Sequence, residues 1–270
     1  MKKIAIISLF AASFCPAAEL KMPSVESQWK DARVVFLGDS ITDKKHVGTE
    51  KNYWQYLEES LGIKPLVYAV NGQRFSHIPS QALKMKAEVG NNFDAIIVFC
   101  GTNDFMAGVP LGDWYKTEDA PAPVAGGVEL RKRRALNLDA STFRGRINVV
   151  VKFLKTRFPE KQIILLTPIH RGYAKFSEKN VQADESFPNK IGAYFDEYAA
   201  AVAQAANVWS VPVIDLNSLC GLYPNLPEHG RYFSKPDTDM LHPNALGHYR
   251  IALALTYALR AYPAGFGASE

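Results

Sequence analysis

Five short apolar runs constrain this chain more than any other feature. They cover residues 33–37, 66–70, 95–100, 162–166 and 211–216, and the first four stop at turn signals: Gly38, Asn71-Gly72, Gly101 and Thr167-Pro168. Runs that are short, β-branched and apolar at successive positions suit strands buried on both faces. The segments between them have helical character: 53–61, 80–89, 142–158, 190–206 and 245–262. In the third of these, Phe143, Ile147, Val150, Val151 and Leu154 recur close to helical spacing. Pro243 suits the first turn of the last. Strands alternating with helices imply a parallel sheet covered on both sides. Right-handed crossovers then give an α/β fold, a three-layer α/β/α sandwich around a doubly wound, flavodoxin-like sheet of about five strands. Such sheets bind ligands beyond the carboxyl ends of their strands, so chemistry is expected just after strands one, two and three.

Residues 105–140 break the alternation. They carry Gly108, Pro110, Gly112, Pro121, Pro123, Gly126 and Gly127, and follow the third strand. Loops this long are usually functional or mobile. The segment reads as a partly ordered lid or substrate-binding insertion within one domain spanning residues 19–270. Its Trp114 and Tyr115 either stack on a sugar ring or pin the insertion to the core. Its basic run, Arg131-Lys132-Arg133-Arg134, reads as an exposed loop or helix face.

The first 18 residues read as an export signal. Lys2-Lys3 precede an apolar stretch from Ile4 to Phe14, interrupted by Ser8 and Ser13, and the small Ala17 and Ala18 follow. The stretch is too short to span a bilayer. A periplasmic or secreted protein is expected; a lipid anchor on Cys15 is less favoured, because bulky Phe14 precedes it. Removing this leader lowers the net charge from +4 to +2, since Lys2 and Lys3 are its charged residues. That is too weak a charge to argue for a nucleic-acid partner. Cys100 ends an apolar run and reads as a buried free thiol; it pairs with Cys220 only if the fold brings them close. No Cys/His spacing suits a metal.

Four polar segments fall where the sheet demands chemistry. Strand one runs into Gly38-Asp39-Ser40-Ile41-Thr42, a tight turn that can present a serine hydroxyl, with a following helix to aim N–H groups at negative charge. Strand two ends in Asn71-Gly72, where a backbone N–H can approach a ligand. Strand three ends in Gly101-Thr102-Asn103-Asp104, which offers a side-chain amide. Asp239-Met240-Leu241-His242-Pro243, on a loop entering a helix, sets a carboxylate three residues before an imidazole. That carboxylate can hold Nδ1 and leave Nε2 as a base. Each alone could be a cap, a turn or a solvated pair.

Together, in this order, Ser40 in G-D-S-I-T, Gly72, Asn103 in G-T-N-D and His242 in D-x-x-H-P resemble the SGNH or GDSL hydrolase family across residues 33–260. The resemblance implies a serine esterase: Ser40 attacks an ester carbonyl, His242 takes its proton and Asp239 orients His242. The oxyanion would be met by the N–H of Ser40, the N–H at Gly72 and the Asn103 side chain. No metal or organic cofactor is implied. Ile41 replaces the motif's leucine. The family's usual second glycine after the Asn is missing from Gln73-Arg74-Phe75-Ser76-His77, which leaves open a donor between Arg74 and Ser76 instead. Asp39 and Asp104 are expected to fix their turns. His170 and Arg171, at the end of strand four, either touch substrate or are simply exposed. His248 is expected to pack or cap.

In overall look the chain is similar to exported bacterial carbohydrate acetylesterases, so an acetylated glycan or another small ester is the expected substrate. A lysophospholipase or thioesterase, a non-catalytic glycan-binding module and an acyl transferase are the alternatives. Oligomeric state stays open.

Overall fold

Residues 33–38 show how the fold is assembled, because their side chains alternate between two separate cores. The computed structural model describes residues 20–266; the expected leader and Cys15 lie outside them. In chain order the strands are β1 (Arg33–Gly38), β2 (Lys64–Val67), β3 (Ala95–Phe99), β4 (Tyr115–Val124), β5 (Gly127–Leu136), β6 (Gln162–Leu166), β7 (Ala174–Ser177), β8 (Asn180–Gln182), β9 (Val213–Ile214), β10 (Phe233–Lys235) and β11 (Asp239–Pro243). The helices are α1 (Tyr53–Leu61), α2 (Ile78–Val89), α3 (Thr102–Met106), α4 (Phe143–Arg157), α5 (Phe195–Trp209), α6 (Leu216–Leu219) and α7 (Ala245–Leu259).

The central sheet has the order β2-β1-β3-β6-β9, and every pairing in it is parallel. Val34, Phe36, Ile97, Phe99, Ile164 and Leu166 pack on one face with α1 and α7. Val35, Leu37, Ile96, Val98, Ile163 and Leu165 pack on the other with α2, α4 and α5. The period of two along each strand thus divides one apolar run between two layers, which is the expected three-layer sandwich.

Several boundaries differ from the sequence expectation. β2 ends at Val67, although Tyr68 and Val70 still donate to Phe36 O and Gly38 O at 2.9 and 3.2 Å. It is a half-exposed edge strand, so burial does not extend its ladder. β9 is cut to Val213–Ile214 because the Asp215 carboxylate turns the chain, accepting from Thr167 Oγ1 at 2.7 Å and Ser218 Oγ at 2.8 Å. α5 begins at Phe195 rather than 190. Asn189 Oδ1 takes the N–H groups of Ile191 and Ala193, and this holds the preceding chain in a turn.

The segment 105–140 is more ordered than the sequence suggests. After α3 it forms the antiparallel hairpin β4–β5, paired from Tyr115–Leu136 to Val124–Gly127. The basic run lies on its second strand, neither loop nor helix: Lys132 pairs with Asp119 at 2.9 Å, and Arg133 pairs with Glu118 directly across the ladder. Its root stands on the helical layer. Trp114 Nε1 donates to Gln204 Oε1 on α5 at 3.0 Å, and Asn148 Nδ2 on α4 donates to Trp114 O at 2.9 Å. Trp114 therefore pins the insertion to the core, and Tyr115 lies under the Arg134 guanidinium at 4.7 Å.

A second, antiparallel sheet has the order β10-β11-β7-β8. It brings residues 239–243 to the carboxyl edge of the central sheet. Asn244 then caps α7, its Oδ1 accepting from Leu246 N and Gly247 N at 3.0 and 3.1 Å. Among the described residues no helix is long and apolar enough to cross a membrane.

His248 joins α7 to α1. It is fully buried, its Nδ1 accepts the Tyr53 N–H at 3.2 Å, and its ring stacks on that of Tyr53. Burial, then the nearby His242 and His46, push its pKa down to about 3. An imidazole held neutral in the fold but free to protonate below about 6.5 when unfolded costs stability as pH falls through that interval. We expect the loss of Tm between about pH 6.5 and 4 to be shallower in His248→Gln than in the parent, even though the variant is less stable at pH 8. Parallel Tm curves would show that His248 does not carry this acid sensitivity.

Candidate active site

The turn that presents Ser40 starts from a close approach of two strands. A Cβ on Gly38 would lie 2.2 Å from Phe99 O, so any larger residue would force β1 and β3 apart at their ends. Gln81 of α2 clamps the same glycine, accepting its N–H through Oε1 at 2.9 Å and donating Nε2 to its carbonyl at 2.7 Å. The chain then reverses, with Thr42 N and Asp43 N both donating to Asp39 O at 3.1 and 3.0 Å. No helix follows directly: α1 begins only at Tyr53. The expected helix end behind the serine is replaced by this single turn. Asp39 Oδ1 accepts the Ile41 N–H at 3.2 Å, the turn-fixing role expected of it. Burial pushes the Asp39 carboxyl up to about 7, against the Ile41 N–H and His242, which pull it down.

Ser40, Asp239 and His242 are all buried. Ser40 Oγ lies 3.0 Å from His242 Nε2, and His242 Nδ1 lies 2.9 Å from Asp239 Oδ2. Asp239 is fixed in turn: its Oδ1 accepts the N–H groups of Leu241 and His242 at 3.2 and 3.0 Å. With Nδ1–H donated to the carboxylate, Nε2 presents a lone pair to the serine hydroxyl. This arrangement can remove the Ser40 proton and stabilise the imidazolium that results. Asp239 and His242 lie on strand β11 rather than a loop, so neighbouring strands set their spacing.

Asn103 stands in the first turn of α3. Its Nδ2 donates to Gln73 O at 3.0 Å, and the amide's second hydrogen has no partner among the described residues. In the glycine segment, Gln73 N donates to Val70 O, Arg74 N to His77 Nδ1 and Phe75 N to Asp104 Oδ2. Two of the three alternative donors, Arg74 and Phe75, are thereby engaged. The N–H groups of Gly72 and Ser76 take no partner among the described residues. Asp104 ties this segment to α4, because its fully buried carboxylate also accepts from Arg146 Nη1 at 2.8 Å. Burial raises the Asp104 carboxyl, opposed by the Phe75 N–H and by Arg146.

Residues 36–250 match the family model described as GDSL-like lipase/acylhydrolase. The chain belongs to this family. This GDSL-like protein is a carboxylic ester hydrolase. Solved structures share its fold. A protein from Lactobacillus plantarum is 24% identical, with 86% of this chain and 98% of that one covered at a TM-score of 0.66. A possible lipase from Chitinophaga pinensis is 23% identical, with 86% and 98% covered at 0.62. An acetyl xylan esterase is 20% identical, with 84% and 99% covered at 0.53. Curated protein sequences contain no significant match.

The GDSL-like hydrolase treats the two tentative substrate residues differently. His170 is half-buried, with Nδ1 2.6 Å from Glu185 Oε1 and its ring edge-on to Tyr223. It lines a cavity of about 230 Å³ with Asn217 and Asn225, beyond β6. Arg171 is fully buried and does not reach a substrate surface. Its Nη2 donates to Gln182 Oε1 at 2.7 Å, its Nη1 lies 3.4 Å from Thr102 Oγ1, and its guanidinium stacks over Phe105. Burial pushes its pKa down to about 10, while Glu185 and Asp184 oppose. Cys100 and Cys220 are both free and buried.

Sequence reasoning missed three residues at the site. Gln81 and Arg146 act through backbone and carboxylate contacts that no local pattern announces. Phe176 lies on β7, 43% exposed, its ring centroid 5.4 Å from that of His242. The alternation around it is too short to read as a strand. Arg171 predicts a separable effect. Arg171→Ala should cost about 2–4 kcal/mol of stability through a cavity and unpaired polar groups, with KM for a small ester little changed. A large rise in KM at constant Tm would return Arg171 to a substrate role.

Proposed function

We propose that this hydrolase removes O-acetyl groups from carbohydrates. The observation that carries the mechanism is the unbroken line from Asp239 Oδ2 through His242 to Ser40 Oγ, at 2.9 and 3.0 Å. Ser40 Oγ attacks the acetyl carbonyl while its proton passes to His242 Nε2. Asp239 holds Nδ1–H and stabilises the cation. The N–H of Ser40, the N–H of Gly72 and the free hydrogen of the Asn103 amide receive the oxyanion. His242 then protonates the departing sugar oxygen, which leaves as the hydroxyl, and water, deprotonated by the same imidazole, attacks the acyl-enzyme and releases acetate.

Three features support the carbohydrate assignment. The half-exposed ring of Phe176 beside His242 offers a flat apolar face of the kind on which a sugar ring stacks. One protein of the same fold is an acetyl xylan esterase. The apolar hollow at Leu138, Val149 and Phe153 takes no lining residue from the segments of Ser40, Gly72, Asn103 or His242, and the groove that nears the serine turn carries Lys44, Lys45 and Lys84 beside its apolar residues, which suits a polar chain better than a long acyl chain. The proposal includes export, on the strength of Lys2-Lys3 and the apolar stretch to Phe14.

The test is acetate release from acetylated xylan and pectin, alongside p-nitrophenyl acetate, butyrate and a long-chain ester. Release from the glycans with poor long-chain turnover is expected; preference for the long chain would replace this reading with a lipid esterase. Asn103→Ala should lower kcat on p-nitrophenyl acetate by about 100- to 1,000-fold, the usual effect of losing one oxyanion donor, while circular dichroism stays native. Unchanged turnover in the folded variant would remove Asn103 from the oxyanion site.

A further inference from the structure

A groove of about 530 Å³ runs along the free edge of β2 and ends at the serine turn. Its volume lies in the range of pockets that hold small-molecule ligands, about 300–1,000 Å³. Pro65, Leu66, Val67, Tyr68 and Trp54 line it, with the exposed Lys44, Lys45 and Lys84 at its rim. Two contacts tie it to the site. Val70, which lines it, donates its N–H to Gly38 O at 3.2 Å, and Trp54 Nε1 donates to Thr42 O at 3.1 Å. Gly38 and Thr42 flank Ser40 by two residues on either side.

The charges of the groove are unbalanced. Its acids are Asp43 and Glu88, two against three lysines, and the Glu88 carboxylate lies against the Tyr68 hydroxyl. Asp43 is committed to the backbone, with Oδ1 accepting from Lys45 N and Oδ2 from Asn71 N at 2.9 and 2.8 Å. Lys44, Lys45 and Lys84 are exposed, and among the described residues none of them forms an ion pair. Cations elsewhere on the surface do pair, as Lys132 with Asp119, Lys64 with Asp31 and Lys175 with Glu178. Unpaired ammonium groups beside two aromatic rings suit a ligand that offers carboxylates at its rim and flat apolar faces toward the rings. Sugar acids in a chain have both.

We propose that this groove is a subsite for an anionic glycan, holding uronate units next to the one whose ester meets Ser40. The assignment deepens the carbohydrate reading and rests on it for the ester, but the binding itself does not need turnover. Only glycan chains with a negative charge gain from the rim, and the gain falls as salt screens exposed charges over about 8 Å at physiological ionic strength.

The experiment separates binding from hydrolysis. The full chain is run in native gels containing polygalacturonate without esters, neutral dextran or neither. Polygalacturonate should retard it and dextran should not. The triple substitution Lys44→Gln, Lys45→Gln, Lys84→Gln should weaken retardation about eightfold, the product of three exposed pairs each contributing about twofold. Lys84→Glu, on α2 away from the serine turn, should weaken it alone if the triple variant is poorly folded. A control with the same charge loss elsewhere, Lys21→Gln, Lys116→Gln, Lys152→Gln, should be retarded like the parent. No retardation of the parent, or equal retardation of the groove and control variants, would overturn the subsite. So would loss of binding to phosphatidylglycerol vesicles in the groove variant without any retardation by polygalacturonate, which would make the rim a membrane contact. Retardation without acetate release from any glycan would leave the groove standing and sink the acetylesterase reading instead.

Discussion

A backbone ladder inside the small antiparallel sheet holds the whole site together. Gly172 N donates to Met240 O, Met240 N to Tyr173 O and Lys175 N to Thr238 O, at 2.9, 2.9 and 2.8 Å. Ser40, Gly72 and Asn103 follow strands of the central sheet, whereas Asp239 and His242 belong to the small antiparallel one. The two groups share a crevice only because these bonds fasten β11 beside β7, and β7 follows closely on β6. Arg171 sits under that joint, bridging Thr102 behind Asn103 to Gln182 on β8. Its burial without a carboxylate partner among the described residues is costly, and the cost is offset by fixing the place where one sheet meets the other.

Carboxylates below the site repeat this logic. Asp39, Asp104 and Asp239 are all buried, and each spends oxygens on N–H groups of a turn that carries a functional residue. Asp104 binds the N–H of Phe75 and so aligns the segment that carries Gly72 against Asn103. Asp39 shapes the serine turn. Asp239 alone faces the imidazole. Burial lifts the carboxyls of Asp39 and Asp104, and the N–H groups they bind oppose that rise. The Asp239 carboxylate instead lies against the imidazole itself.

The parallel sheet was legible because it is buried on both faces, so its strands read as unbroken apolar runs. The site residues were legible for a related reason: a doubly wound sheet confines chemistry to its carboxyl edge, and Ser40, Asn103 and His242 occur in recognisable surroundings there. What was not legible lacked either burial or periodicity. β4–β5 is exposed on both faces and is held by backbone bonds and pairs such as Lys132–Asp119, so it shows no apolar alternation. Its Pro121 and Pro123 lie on a strand edge, where a missing N–H is tolerated, yet in sequence they read as loop. Arg171 read as a substrate contact or an exposed cation, because a lone arginine at a strand end gives no sign of burial. β7 and β8 are four and three residues long, too short for any period, although they set Phe176 against His242.

The loop between the serine turn and α1 shows how closely the imidazole is enclosed. His46 adopts φ 56° and Gly48 φ 77°, a left-handed course that bends the chain under β11. A Cβ at Gly48 would lie 2.8 Å from the His242 Cβ and 3.0 Å from that of Ser234. The loop therefore presses on the backbone side of His242, while Phe176 covers its ring from β7. An imidazole held from both sides loses rotamer freedom before substrate arrives, so the 3.0 Å approach to Ser40 is built into the resting fold and need not be organised during the reaction. The same loop continues into Lys44 and Lys45 at the groove rim. Lys44 and Lys45 thus sit on the same short stretch of chain that presses on His242 through Gly48.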